Sequence, residues 1–230
     1  MNRIVTILGI ACISASTMAQ SSSENENRFK PRINLSKQVL SSSFVGLGFV
    51  QGETDFYKLG GNSINFDIGS MHRYQFRPRF ALIGTVQYSY YNYKLHDAAS
   101  EPIFNSVVLN GKTYDNVSKQ VFRTHNFAAS AGYRFYLVKP VRNKNNAGLF
   151  VDLSVQGDLA FSKYYKLKLN GESNIKHRDK DVFNPLTTSY IARAGWGWFS
   201  IYARYRVTDA FNSKHLPMDI PPLTIGVQFL

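Results

Sequence analysis

The chain holds histidine, serine and carboxylate side chains that acid–base or metal chemistry would need, but their spacing does not gather them. His72, His96, His125, His177 and His215 are scattered, with no H-E-x-x-H and no pair at a ligand spacing, so a zinc site lacks a framework. Gly46-x-Gly48 followed by Gly52 has the wrong spacing for a dinucleotide loop and precedes no helical pattern. An acyl-transfer or protease site needs a base, an orienting acid and usually a hydroxyl that converge. His96-Asp97, His125 and His215 offer bases, yet no motif brings partners to them. The expectation is a non-enzyme without cofactor or metal.

Two other sets of charged residues carry a pattern. Arg134, Asp152, Asp158, Arg193, Arg204 and Arg206 each sit in a run where polar and apolar residues alternate, which places them on one face of a strand. Lys163, Lys166, Lys168, Lys176, Arg178 and Lys180, with His177 among them, outnumber the two nearby carboxylates, Glu172 and Asp179. Such a cluster suits phosphate or another polyanion through charge-assisted hydrogen bonds. The plain alternative is a solvated basic loop. The formal charge of the whole chain is +12, to which the first nineteen residues contribute only Arg3, so the excess belongs to the body of the protein and favours polyanionic neighbours.

The elements that would position these residues are strands. Residues 1–19 read as a secretory signal: Arg3, an apolar stretch from Ile4 to Ser14 and small residues Thr17 and Ala19 before Gln20, too short for a spanning helix. Gly9 stands three positions before Cys12, where a lipid-attachment signal normally has leucine. Export makes nucleic acid an unlikely match for the positive charge and lipid or glycolipid a better one. Cys12 is the only cysteine; once it is removed with the signal, no disulfide or thiolate metal site remains. Residues 20–39 are polar and contain Pro31, and read as a flexible periplasmic lead-in. From residue 40 to 230 the period is two throughout.

Eight strands follow from that period, near 42–51, 62–73, 79–93, 121–137, 148–164, 186–195, 198–208 and 222–230. The fifth alternates Leu149, Val151, Leu153, Val155, Leu159 and Phe161 with Asp152, Ser154, Gln156 and Asp158; the last puts Ile225, Val227 and Phe229 on one face. Short and long connections alternate, placing external loops near 52–61, 94–120, 165–185 and 209–221. Bacterial outer-membrane barrels have an even strand number, short periplasmic turns and long external loops. A lipocalin-type soluble barrel also has eight strands, but its apolar face points inward. Tyr88, Tyr90, Tyr91, Tyr93, Tyr133, Phe135, Phe161, Tyr164, Tyr165, Trp196, Trp198 and Tyr205 collect near strand ends, as girdles at a lipid–water boundary do. The fold expected is therefore all-β: a closed, eight-stranded, antiparallel up-and-down transmembrane barrel.

Closure carries consequences for the inward charges. In hydrocarbon every backbone polar group needs a partner within the protein, so the last strand must pair with the first. Gly46, Gly48 and Gly226 would leave one wall bare, and the larger inward side chains of the opposite wall would fill the space. Counting back from the turn near 138–147 sets Arg134 against Asp152 as an ion pair near the periplasmic end. Eight strands enclose an interior that side chains fill, which favours a plug over a selective pathway.

The run Gly195-Trp196-Gly197-Trp198-Phe199-Ser200-Ile201-Tyr202-Ala203-Arg204-Tyr205-Arg206-Val207-Thr208-Asp209-Ala210-Phe211, followed by Pro221-Pro222-Leu223-Thr224-Ile225-Gly226-Val227, resembles the end of the PorT-like outer-membrane β-barrel domain family typical of the Bacteroidota. The resemblance implies export, insertion by the barrel assembly machinery with the Ile225, Val227 and Phe229 strand as the insertion signal, and residence in the outer membrane. The resemblance speaks to architecture more than to activity, some members of the family assisting protein secretion; the role expected is structural, adhesive or secretion-accessory, through the external loops and toward secretion-apparatus or surface partner proteins. A narrow conduit or small-ligand receptor is the alternative.

Overall fold

Alternating side chains commit each segment to a strand with two unlike faces, and a sheet with one apolar face and no free edge is the form that survives in lipid. The computed structural model describes residues 39–54, 57–59, 63–96, 106–109, 112–115, 117–138, 148–169, 175–178, 184–211 and 219–230. The expected export segment with Cys12, the lead-in as far as residue 38, Lys180 and His215 lie outside them. Eight long strands make the barrel: β1 Val39–Gln51, β2 Ile64–Arg77, β3 Phe80–His96, β4 Val117–Tyr136, β5 Leu149–Leu169, β6 Leu186–Trp196, β7 Phe199–Arg206 and β8 Leu223–Phe229. Each pairs antiparallel with its successor. The last returns to the first, from Val45 opposite Phe229 to Gln51 opposite Leu223.

The two faces are the reverse of those in a soluble barrel. Val45, Leu47, Phe49, Ile68, Val86, Phe127, Leu153, Leu159, Ile201 and Ile225 are exposed on the outside, while Asp67, Gln87, Arg134, Asp152, Gln156, Asp158, Arg193 and Arg204 are buried in the lumen. Water would not tolerate that arrangement; hydrocarbon requires it. On β5 the outward apolar run from Leu149 to Phe161 rises about 30 Å for strands tilted by roughly 40°, enough to cross a bilayer core. Aromatic contacts mark both borders. Phe80 lies 5.1 Å from Phe135 and Trp198 5.5 Å from Phe229 at the end with the short turns, and Tyr90 lies 5.1 Å from His125 and Phe127 4.5 Å from Phe161 at the other. Three of the expected girdle tyrosines are not part of these borders: Tyr91, Tyr93 and Tyr165 are buried, facing inward.

Two-residue links join Arg77 to Phe80 and Trp196 to Phe199; in the second, Gly197 takes φ 62°, a conformation common in such hairpins that glycine adopts without strain. At the opposite end the strands are longer than expected. β3, β4 and β5 continue as a tall wall past the level where β6 begins, with Leu186 paired to Leu159. Residues expected in loops therefore lie in strands: 117–120 in β4, 165–169 in β5, and Ile175–His177 paired to the end of β5. Two further hairpins occupy expected loops, Ser106–Leu109 with Lys112–Asp115, and Glu53–Thr54 with Tyr57–Leu59, the latter continuing onto β3.

The cause is a β-bulge. Ser162 faces His125 and Ala160 faces Asn126, leaving Phe161 as the extra residue. An inserted residue reverses the side on which every later residue falls. Beyond it Leu167 and Leu169 turn inward and are buried, whereas Lys166 and Lys168 face out. The Lys-Leu-Lys-Leu run is a strand whose apolar face has changed sides.

Candidate functional site: lumen plug and loop-end rim

The lumen near the short turns is closed by a pair that the hairpin register creates. Arg134 on β4 and Asp152 on β5 are opposite each other. The guanidinium binds the carboxylate in fork geometry, Nε to Oδ1 at 2.7 Å and Nη2 to Oδ2 at 2.8 Å, the arrangement that best offsets the loss of water around both charges. Its flat face rests on Phe150, 3.6 Å from the ring centroid. From the other side β6 sets Arg193 opposite the same Asp152. Arg193 donates weakly to Ser154 Oγ at 3.5 Å, and its Nε finds no acceptor among the described residues. Tyr136, Phe150, Ala81 and Leu230 pack below.

A second cluster crosses the barrel. Arg204 on β7 reaches Asp67 on β2, Nη2 to Oδ2 at 2.7 Å, and also donates to Asn65 Oδ1 and the Tyr91 hydroxyl. β8 and β1 lie between those strands, and the middle of their inward faces is formed by the expected glycines, Gly46, Gly48 and Gly226, with Phe44, Val50, Thr224 and Gln228 to either side. A Cβ on Gly226 would sit 2.7 Å from the Tyr202 ring, and one on Gly48 2.9 Å from Thr224 Cγ2. Tyr202 fills the bare wall and donates to Asn65 Oδ1 at 2.9 Å. Asp158, grouped with these charges from the sequence, instead accepts from Gln156 Nε2 at 2.9 Å and from the Tyr91 hydroxyl at 3.3 Å.

Toward the long loops the lumen is capped. Arg206 binds Asp219 Oδ2 at 2.7 Å, and Asp219 Oδ1 accepts from the backbone of Ala210 at 2.8 Å. Asn184 Nδ2 donates to the carbonyls of Asp209 and Phe211. These bonds seat Phe211 and Ile220 in an apolar cluster with Tyr93, Phe122, Tyr165 and Leu167. Beneath it a cavity of about 30 Å³ remains, lined by Tyr91, Asn126, Ser189 and Arg204 among others. That is room for a water molecule or two, not for a ligand. Asp219 was not singled out in the sequence, because nothing in a loop's local pattern tells which strand it will meet.

Outside the rim, the expected basic cluster is divided. By register Lys163 shares a side with Thr124, which is buried, so it leaves the outer group; Lys166, Lys168 and Lys176 stay outside, and Arg178 is exposed just beyond. Arg123, absent from the expected set, joins them. It donates through Nε to Asn92 Oδ1 at 2.8 Å and through Nη1 to the Tyr164 hydroxyl at 3.2 Å. Lys176 Nζ stands 4.4 Å from the Tyr164 ring centroid. Of the histidines, His125 shares a 2.6 Å hydrogen bond with the Tyr88 hydroxyl, and His72 contacts Ser41 and Ser70. Neither arrangement includes the carboxylate that would orient a base for catalysis.

No family model matches the chain, and no curated protein matches it. Among solved structures, it is similar to the crystal structure of Ail, the attachment invasion locus protein of Yersinia pestis, at 15% identity and TM-score 0.38, over 83% of this chain and 93% of that one. A likeness at that level adds nothing to the fold, which rests on the closed register of the eight strands.

Proposed function

We propose that this chain is a non-enzymatic, integral protein of a bacterial outer membrane, with its short turns in the periplasm and its long connections outside, and that it acts through its external rim and loops. The observation that carries this reading is the filled lumen. Arg134, Asp152 and Phe150 occupy the turn end, Phe211 and Ile220 cap the loop end, and the space between holds a cavity of about 30 Å³. Among the described residues, a lumen filled in this way favours the outer surface over a conduit or an interior ligand pocket. The resemblance of residues 195–211 and 221–227 to PorT-like barrels favours a structural, adhesive or secretion-accessory role, with insertion by the barrel assembly machinery.

Fractionated membranes test this directly. The protein is expected in the outer-membrane fraction, with unboiled and boiled samples migrating differently on an SDS gel, and reconstituted barrels are expected to give no single-channel steps in a planar bilayer. Recovery as a soluble periplasmic protein would refute the localisation, and regular conductance steps would restore the conduit.

A further inference from the structure

The outer face of the β3–β5 wall combines three features that belong together only if an anion is bound there. The first is position. Reading outward positions along β4 toward the loops, Phe127 is followed by His125 and then Arg123, and along β5 Phe161 is followed by Ser162, opposite His125, then Tyr164 and Lys166. The cations thus begin one outward position, roughly 5 Å in height, beyond the aromatic border. Lipid phosphates lie at that depth. The second is like-charge pairing. Lys166 is directly opposite Lys176, a placement that destabilises a sheet unless a counter-charge is supplied. Among the described residues no carboxylate pairs with Arg123, Lys166 or Lys176. The third is preorganisation. Asn92 and Tyr164 hold two edges of the Arg123 guanidinium, and the Tyr164 ring lies beneath Lys176, so ordering these side chains costs little when a ligand arrives.

The opposite arc of the barrel is the internal control. Its outward positions at the same end are Leu223 on β8, Gln51 on β1, Ile64 on β2, Leu186 on β6 and Val207 just after β7, none of them charged. A general need for surface charge would have distributed the cations around the rim; among these described outward positions they fall on one wall, directly above an apolar lipid-facing surface.

Resting on the outer-membrane reading above, we propose that Arg123, Lys166 and Lys176, arranged around Tyr164, form a docking site for the phosphate groups of a glycolipid in the surrounding outer leaflet. The glycolipid's acyl chains lie along the apolar face below, and its phosphates supply a counter-charge that no described residue provides. Arg123 contributes the planar fork and the lysines the point charges.

The test uses folded, purified barrel in detergent micelles, titrated with a bisphosphorylated lipid A-type glycolipid, with the same glycolipid after enzymatic removal of its phosphates, and with inorganic phosphate. Native mass spectrometry reads the bound fraction. The phosphorylated glycolipid is expected to bind at least about tenfold more tightly than the dephosphorylated one, and millimolar inorganic phosphate is expected not to displace it. The triple variant Arg123→Gln/Lys166→Gln/Lys176→Gln should lose that tenfold preference. Arg77→Gln/Arg79→Gln, which removes exposed cations at the turn end, should retain it.

The heat-dependent gel shift checks that every variant is folded. Equal binding of both glycolipids, an unchanged triple variant, or full displacement by inorganic phosphate would overturn the proposal, the first pointing to a non-phosphate anion or to acyl contact alone. If labelling of intact cells placed the rim in the periplasm, the functional reading would fail even where phosphate-dependent binding persisted. A correctly placed barrel without phosphate preference would remove this site and leave that reading intact.

Discussion

Two buried arginine–aspartate pairs of the same length, 2.7 Å, hold the lumen, and they differ in what they join. Arg134 and Asp152 are 18 residues apart on consecutive strands, so the pair can form with the β4–β5 hairpin. Asp67 and Arg204 are 137 residues apart, on strands separated by β1 and β8, and meet only once the first and last strands have paired. One pair secures a hairpin and the other clasps the finished barrel. The stability of a closed sheet thus depends most on contacts that do not exist until it closes.

A large effect is expected at the clasp. Asp67→Ala removes the carboxylate that binds the buried Arg204 guanidinium and leaves it hydrogen-bonded only to Asn65 and Tyr91, with Asp158 as the carboxylate still acting on it. Stability should fall by about 3 kcal/mol, read by denaturant unfolding in micelles and by the temperature at which the compact unboiled gel band is lost. Replacing both charges, as Asp67→Ala/Arg204→Met, should recover only part of that loss, because Arg204 is no longer stranded but Asp158 keeps only its neutral partners Gln156 and Tyr91. A loss under about 1 kcal/mol for the single variant would mean that water solvates the site and that the clasp is ornamental.

The hairpin pair should respond by no more than that, and unequally. Asp152→Ala strands Arg134 beside Arg193, whereas Arg134→Ala leaves Asp152 with Arg193 opposite it in register. Losses of about 3 and about 2 kcal/mol respectively are expected, with the double variant losing clearly less than their sum. Simple additivity would show that the two side chains do not interact. Equal single losses would show that Arg193 contributes nothing to Asp152.

The same contrast explains what could be read from the sequence. Arg134 and Asp152 can be set together from sequence because a turn fixes the register of its own two strands, and period-two alternation gives the faces of the strands as far as the bulge at Phe161. Asp67 lay in plain alternation on β2, but its partner depends on the stagger of strands around the whole circumference, which no local pattern carries. The tall wall was read as loops for a related reason: the bulge at Phe161 turns Leu167 and Leu169 inward, so lysines replace apolar residues on the outer face just where the strand leaves the lipid. Tyr91, Tyr93 and Tyr165 resemble girdle residues in sequence because aromatic type marks height along a strand and says nothing about which side the ring takes. Arg123 stood outside the lysine-rich segment and was brought to it only by the pairing of β4 with β5.

The smallest effects test whether the glycines on β1 and β8 are there for space. Gly226 and Gly46 both face the lumen beneath the span of the Asp67–Arg204 clasp, yet their surroundings differ. A Cβ at Gly226 would lie 2.7 Å from both Gly48 Cα and the Tyr202 ring, and closer still to the Leu47 carbonyl oxygen, so relief requires the β1–β8 seam to shift. A Cβ at Gly46 would meet Asp67 Cβ at 3.5 Å, an ordinary contact. Gly226→Ala should therefore cost about 1–3 kcal/mol through overpacking, while Gly46→Ala should change stability by no more than about 0.5 kcal/mol, the loss of freedom in the unfolded chain favouring the variant. Equal losses at the two positions would mean that both glycines serve backbone conformation. Unequal losses in the expected order would mean that the barrel closes over Tyr202, and that the clasp can form because Gly46, Gly48 and Gly226 leave room between its partners, with Phe44, Val50, Thr224 and Gln228 filling the lumen to either side.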